Sequence, residues 1–188
     1  MPKIIKDVED IIKKHAMELF IDYSYEDVDM KMISQKCEIA VGTLYNYFKN
    51  KKQLYTMLLE ESWQDTFYKL DAINELSISS NEKIKNFITT LYEDIESRNG
   101  LGKALVGGFT QALQGDEKII NLKRNLLLRI EKLIIFCNTI NDLSKLDTID
   151  NRLAESMLTV TKTMLQIYPK DKEKNIYFLS EFFSKMIY

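Results

Sequence analysis

The chain has 188 residues, a formal net charge of −2 and 45% hydrophobic residues. That combination excludes collagen-like, low-complexity and highly charged disordered chains, and leaves one medium domain or a small domain joined to a larger one. Only six glycines and two prolines are present, which argues against a turn-rich all-β fold and for helices.

The helices read off in chain order. Ile4, Ile5, Val8, Ile11, Ile12, Ala16, Leu19 and Phe20 recur at helical spacing and predict a first amphipathic helix. His15 lies beside that stripe as a packed or half-exposed side chain, with no partner at metal-ligand spacing. Tyr23-Ser24-Tyr25 predicts a turn. Asp29 is a good N-cap for a second helix over 30–37, Glu38-Ile39 is the next turn, and a third helix opens at Ala40 or Val41 and ends near Phe48. Lys51 starts a long fourth helix toward Leu70. Asn81 is the expected cap of a fifth, ended by Arg98-Asn99-Gly100. Leu101 to Gln114 is expected to be helical but glycine-rich, Asp116 to Cys137 a long helix, 138–150 a polar loop, and 151–167 and 171–187 a closing pair. No strand is convincing, so the fold class is all-α with about nine helices.

Cys37 and Cys137 form no C-x-x-C. Isolated thiols fit a reducing cytosol better than a disulfide scaffold. No signal peptide opens the chain and no apolar run is long enough to span a bilayer, so a cytoplasmic location is expected and no membrane partner. Lysines and acids balance over the first 56 residues, and every arginine (98, 124, 129, 152) lies beyond them.

The most specific stretch is 33–54, ISQKCEIAVGTLYNYFKNKKQL. Gly42 and Thr43 keep side chains small at the start of a short helix, so that DNA can come close to the backbone. Leu44 and Phe48, four apart, anchor that helix inward, which turns Tyr45, Asn46 and Tyr47 toward a groove or its walls. A tyrosine hydroxyl reaches phosphates, and an asparagine can pair with an adenine edge. Lys51, at a helix start, combines an ammonium with free amides.

Leu19-Phe20, Tyr25, Ile33, Ile39-Ala40-x-Gly42-Thr43-Leu44-Tyr45-x-Tyr47-Phe48 and Lys51-x-x-Leu54 resemble the DNA-binding domain of the tetracycline-repressor (TetR/AcrR) family over roughly the first third of the chain. The resemblance implies an N-terminal three-helix helix-turn-helix domain over residues 1–50 and a C-terminal helical effector-binding and dimerisation domain over residues 51–188. It implies DNA contacts at Asp29, Lys36, Ala40, Val41, Gly42, Thr43, Tyr45, Asn46, Tyr47, Lys49 and Lys51. Two positions depart from the family pattern: Glu38 and Ser24 stand where glycine is usual. A left-handed backbone at Glu38 would cost roughly 1–2 kcal/mol. With no arginine in the reading helix, the commonest guanine contact is missing, and an A/T-leaning operator is expected.

For the rest of the chain, the resemblance implies a homodimer through the last two helices, with Leu153, Met157, Val160, Met164, Phe178, Phe182 and Met186 as interface residues; their apolar stripe is wide for a single face. It also implies an unknown small apolar or amphipathic effector, with Trp63, Phe67, Phe87, Tyr92, Phe109 and Phe136 as candidate contacts. The expected function is a ligand-responsive transcriptional regulator, in repressor mode, on a palindromic double-stranded DNA operator. Gly100-x-Gly102-Lys103 is no phosphate loop, because the upstream Gly and the following Ser/Thr are missing. No nucleophile–base pair, metal set or cofactor motif stands out, so no enzyme, metal or cofactor is expected. The alternatives are an effector-independent DNA binder controlled by a protein partner, and a helical adaptor without specific DNA binding.

Overall fold

The computed structural model describes residues 5–106, 112–137 and 146–187. Among these residues the fold is all-α, with eight helices: α1 (Ile5–Asp22), α2 (Met30–Lys36), α3 (Val41–Tyr47), α4 (Lys51–Glu75), α5 (Ser80–Val106), α6 (Glu117–Phe136), α7 (Ile149–Ile167) and α8 (Lys172–Ile187).

Helices α1 to α3 form a small head. Its centre holds Ile12, Ala16, Phe20, Val28, Ile33 and Leu44, and the first turns of α4 complete it with Leu54, Tyr55 and Leu58, all buried. Phe20 meets the Tyr55 ring edge-on at 4.9 Å between centroids, and Tyr25 meets it at 4.8 Å. Burial pushes the Tyr55 phenol far above its usual range. Residue 50 therefore ends the reading helix's connection, while the head's core continues into α4.

The remaining helices pack around α4 and α5. Helix α4 touches α1, α5 and α6; it buries Leu54 and Leu58 on one side of its axis and Leu59, Trp63, Phe67 and Leu70 on another. A helix enclosed in this way shows no single apolar stripe. Ion pairs tie α6 to α4 along its length: Lys118–Glu60 at 3.1 Å, Arg129–Asp71 at 2.8 Å and Lys132–Glu75 at 2.6 Å. The side chain of Asn175 joins α5, α7 and α8. Its amide donates to the Tyr92 hydroxyl at 2.9 Å and to the Tyr168 carbonyl at 2.8 Å.

Two expectations need correcting. Helix α5 does not end at Arg98-Asn99-Gly100 but runs on to Val106; the all-α fold stands, with eight helices among the described residues. A glycine lowers helix propensity by only about 1 kcal/mol, and the packing of Ile95 and the fully buried Leu101 outweighs that. The cap of α5 is Ser79 rather than Asn81: its hydroxyl accepts the Glu82 amide at 3.3 Å. The paired glycines 107–108 lie outside the described residues.

Candidate nucleic-acid interface

Helix α2 begins where the sequence predicts. The Asp29 carboxylate accepts the Met32 amide at 2.8 Å. At the other end, Glu38 takes φ +55°. The Ile39 amide bonds back to the Ser34 carbonyl at 3.0 Å and the Glu38 amide to Gln35 at 3.1 Å, the paired bonds of a Schellman stop. The turn thus keeps its left-handed geometry with a residue that strains it. Ser24 has no positive φ; its hydroxyl donates to Asp27 at 2.6 Å instead.

Helix α3 has only seven residues and is held from beneath by Leu44 and Phe48, both essentially buried. Its outer face presents Ala40, Val41, Gly42, Tyr45 and Asn46 to solvent, followed by Lys49, while Thr43 and Tyr47 are half-buried. A Cβ built on Gly42 would meet nothing within 4 Å, and its φ is not positive. Neither packing nor backbone geometry in the chain itself requires glycine there.

Between α2, α3 and the start of α4 lies a recess of 480 Å³, lined by Asp29, Met30, Lys31, Val41, Tyr45, Lys49, Asn50 and Lys51. Asn50 caps α4 by accepting the Gln53 amide at 2.8 Å, and Gln53 in turn accepts the Lys49 amide at 2.9 Å. This reciprocal cap and Lys31 were missed in the sequence reading. An N-K-K-Q run with Asn before a helix and Gln three residues on was the signal for the cap.

Two expected DNA-facing lysines have partners inside the protein. The Lys51 ammonium donates to the Tyr25 carbonyl at 2.6 Å and the Val28 carbonyl at 2.7 Å, and sits 4.2 Å from the centroid of the Tyr25 ring. An ammonium has three donors, so one remains. Lys36 pairs with Glu18 at 3.0 Å, and the same carboxylate oxygen lies 3.2 Å from His15 Nδ1. Lys36 first and then His15 hold the Glu18 carboxyl below its ordinary range. Neighbouring Lys52 pairs with Asp116 at 3.1 Å. Burial alone would raise the Asp116 carboxyl, but Lys52 and the amides it caps in α6 outweigh burial and lower it.

The aromatic residues named for an effector have a shared environment. Trp63, Phe87 and Tyr92 are fully buried and Phe67 nearly so. Three of the rings carry a cation on one face: Arg98 lies 4.7 Å from the Trp63 centroid, Arg129 4.2 Å from Phe67, and Lys83 3.4 Å from Phe136. Phe136 is half-exposed, and Phe109 lies outside the described residues. Phe67 also borders a 340 Å³ recess between α4 and α6, with Gln64, Asn121, Asn125 and Arg129. Both cysteines are buried free thiols, pushed up by burial.

Of the residues named for a dimer, Leu153 and Met157 are buried within the protomer, while Phe178 and Phe182 are exposed and stack on each other at 5.8 Å. Val160, Met164 and Met186 are half-buried. Ile167, Tyr168 and Tyr177 add exposed apolar surface on α7 and α8 that the sequence reading did not name. Among the described residues, no helix is long and apolar enough to cross a membrane, and no group of His, Cys, Asp and Glu could hold a metal ion.

Comparison with known proteins agrees with this architecture. Residues 12–57, which are α1 from its middle, α2, α3 and the start of α4, match the family of bacterial regulatory proteins of the tetR type. An uncharacterized HTH-type transcriptional regulator of Bacillus subtilis strain 168, YuxN, is 29% identical over 91 residues, which are 48% of this chain and 31% of that relative. The matched segment thus spans about a third of that relative's length. The fold matches a tetR-family bacterial regulatory protein from Rhodococcus RHA1, with TM-score 0.73 at 12% identity over 96% of both chains. It also matches AibR, solved with isovaleryl coenzyme A and operator DNA, with TM-score 0.71 at 15% identity over 93% of this chain and 96% of that one. Residues 12–57 thus carry the DNA-binding head of the tetR family of bacterial regulatory proteins, and the chain as a whole has the fold of solved proteins of that family.

Proposed function

We propose that this regulator binds a palindromic operator as a homodimer, represses transcription there, and is released by a small apolar or amphipathic effector. The observation that carries the DNA reading is Gly42. A glycine inside a helix costs about 1 kcal/mol against alanine, and nothing in the chain needs it. A surface from outside, coming close to the helix backbone, gives it a use. Ala40, Val41, Thr43, Tyr45, Asn46 and Tyr47 then face bases and phosphates, with Lys49 and the unused donor of Lys51 on the DNA backbone. Asp29 acts from behind by fixing α2. Lys36 contributes less, because Glu18 already balances its charge.

The exposed apolar faces of α7 and α8, with Phe178, Phe182, Val160 and Met164, are read as the dimer surface. Two heads on a two-fold axis fit a palindrome. The domain division is a head over residues 1–50 and an effector and dimer domain over 51–188, with α4 as the shared lever. The effector would act by preferring a dimer whose heads are mis-spaced for the operator, and DNA must weaken effector binding by the same factor. AibR, which shares the fold, was solved with an acyl coenzyme A, so acyl thioesters are the first class to test. The chain is read as a binding protein rather than an enzyme.

The experiment is fluorescence-anisotropy binding to the DNA upstream of the protein's own gene at two salt concentrations, with Tyr45→Ala as control. Tight, salt-sensitive binding to one segment, lost in the control, supports the reading; binding equal to that of scrambled DNA contradicts it. A second reading, a DNA binder controlled by a protein partner, draws support from the burial of Trp63, Phe87 and Tyr92. Operator release by an acyl thioester would rule it out.

A further inference from the structure

The chemistry of the reading face narrows which bases it can recognise. Over residues 40–47 it contains no Arg, Lys, Glu or Asp, the side chains that fork onto guanine or accept from cytosine. What it exposes instead is apolar: the Ala40 methyl, the Val41 isopropyl group at 43% exposure and the Tyr45 ring at 49%. Val41 and Tyr45 are four residues apart on one helix face, with the bare backbone of Gly42 beside them. Lys31, Lys49 and Lys51 line the adjoining recess, a cationic border suited to phosphates. An exposed apolar patch inside such a border has one matching group in the major groove, the 5-methyl of thymine.

We infer that Val41, flanked by Ala40 and the Tyr45 ring, is a specificity-determining residue that packs against a thymine methyl in each operator half-site, while Asn46 supplies the polar contact to adenine. This rests on the DNA reading above and sharpens its expected A/T preference into a contact with one chemical group. The contact is van der Waals and hydrophobic, so it depends on the methyl and not on the hydrogen-bonding edge of the base pair.

The test uses the full-length protein and a duplex that it enriches from a randomised pool. Each thymine is replaced by uracil in symmetry-related pairs, which removes the methyl and leaves base pairing intact. Burying one methylene-sized group corresponds to about a fourfold change in affinity, so one symmetric pair of replacements should weaken binding by about tenfold or more. Val41→Ala, a surface change whose folding is checked by circular dichroism, should weaken binding to the unmodified duplex and become indifferent to uracil at that same pair. Replacing that thymine by cytosine, with guanine opposite, should weaken binding, and 5-methylcytosine should recover part of the loss. Indifference of the wild type to uracil at every position overturns the inference while leaving the DNA reading intact, as does undiminished uracil sensitivity in Val41→Ala. Failure to enrich any duplex above scrambled DNA overturns both.

Discussion

The head and the helical body handle their special side chains in opposite ways. In the head, the residues that carry the functional reading are turned outward, and the chain itself has no use for Gly42 or for the exposed Val41 and Tyr45. In the body, the conspicuous residues are turned inward and held by partners within the fold. Trp63 and Phe67 lie under arginines. Arg98 donates to the Ser62 carbonyl and to Thr66, whose hydroxyl donates to Asp94 at 2.6 Å. An exposed group without an internal role points to an external ligand, whereas a buried ring packed by its neighbours is explained by stability, even though the Trp63 indole N–H has no hydrogen-bond partner.

That contrast can be broken or sharpened by substitution. The largest expected effect lies in the body. Asn175→Ala removes the donor to the buried Tyr92 hydroxyl and one of two donors to the Tyr168 carbonyl, which also accepts the Asp171 amide, and leaving the buried hydroxyl unpaired should lower stability by about 1–3 kcal/mol in urea unfolding. No change would mean that the hub does not hold α8 to α5.

Next is Lys83, fully buried, which donates to the Asn74 carbonyl at the end of α4 at 2.8 Å. Desolvation lowers its pKa below the ordinary lysine value of 10.5. Between that depressed value and 10.5 the unfolded chain binds more protons than the folded one, so the Lys83 contribution to stability rises with pH. Unfolding free energies of wild type and Lys83→Met should therefore diverge in favour of wild type as pH rises through this window. The comparison with the variant cancels the opposite trend from buried Tyr55, whose raised pKa lets stability fall above pH 10. Parallel curves would contradict a desolvated ammonium.

In the head, Glu38→Gly relieves the left-handed strain and should stabilise by about 1 kcal/mol, measured by thermal unfolding; destabilisation would mean that Glu38 makes a compensating contact. The smallest effect separates two lysines. Lys49→Gln should reduce the salt slope of DNA binding by about 1 per head. Lys36→Gln should change it less, because Glu18 already pairs with that lysine. Equal slopes would show that Glu18 lets go of Lys36 on DNA.

Local features were the more legible ones, with the Asn50–Gln53 cap of α4 and the Ser79 cap of α5 as exceptions. The cap at Asp29, the anchors Leu44 and Phe48, and the strained turn at Glu38 are each set by residues within a few positions, and the family resemblance rests on the same stretch. Features that depend on distant partners were not legible. Nothing near Lys83 in sequence announces burial under Phe136, and Lys36 gives no sign of being matched by Glu18 on another helix. The run through Asn99 and Gly100 was misread because the burial of Leu101, which sustains the helix, comes from packing against other helices. Leu153 and Met157 showed the same apolar spacing as residues that face solvent, since periodicity locates a face without saying which neighbour covers it.

The most direct test of the account is operator binding by Gly42→Leu, read by anisotropy beside its thermal unfolding. A Cβ there meets nothing within 4 Å in the protein and α3 faces solvent at this position, so the melting temperature should stay within a few degrees of wild type, while affinity for the selected duplex should fall by about 100-fold or more, a loss of roughly 3 kcal/mol. Wild-type affinity in a folded Gly42→Leu protein would contradict the claim that DNA closes on this face of α3.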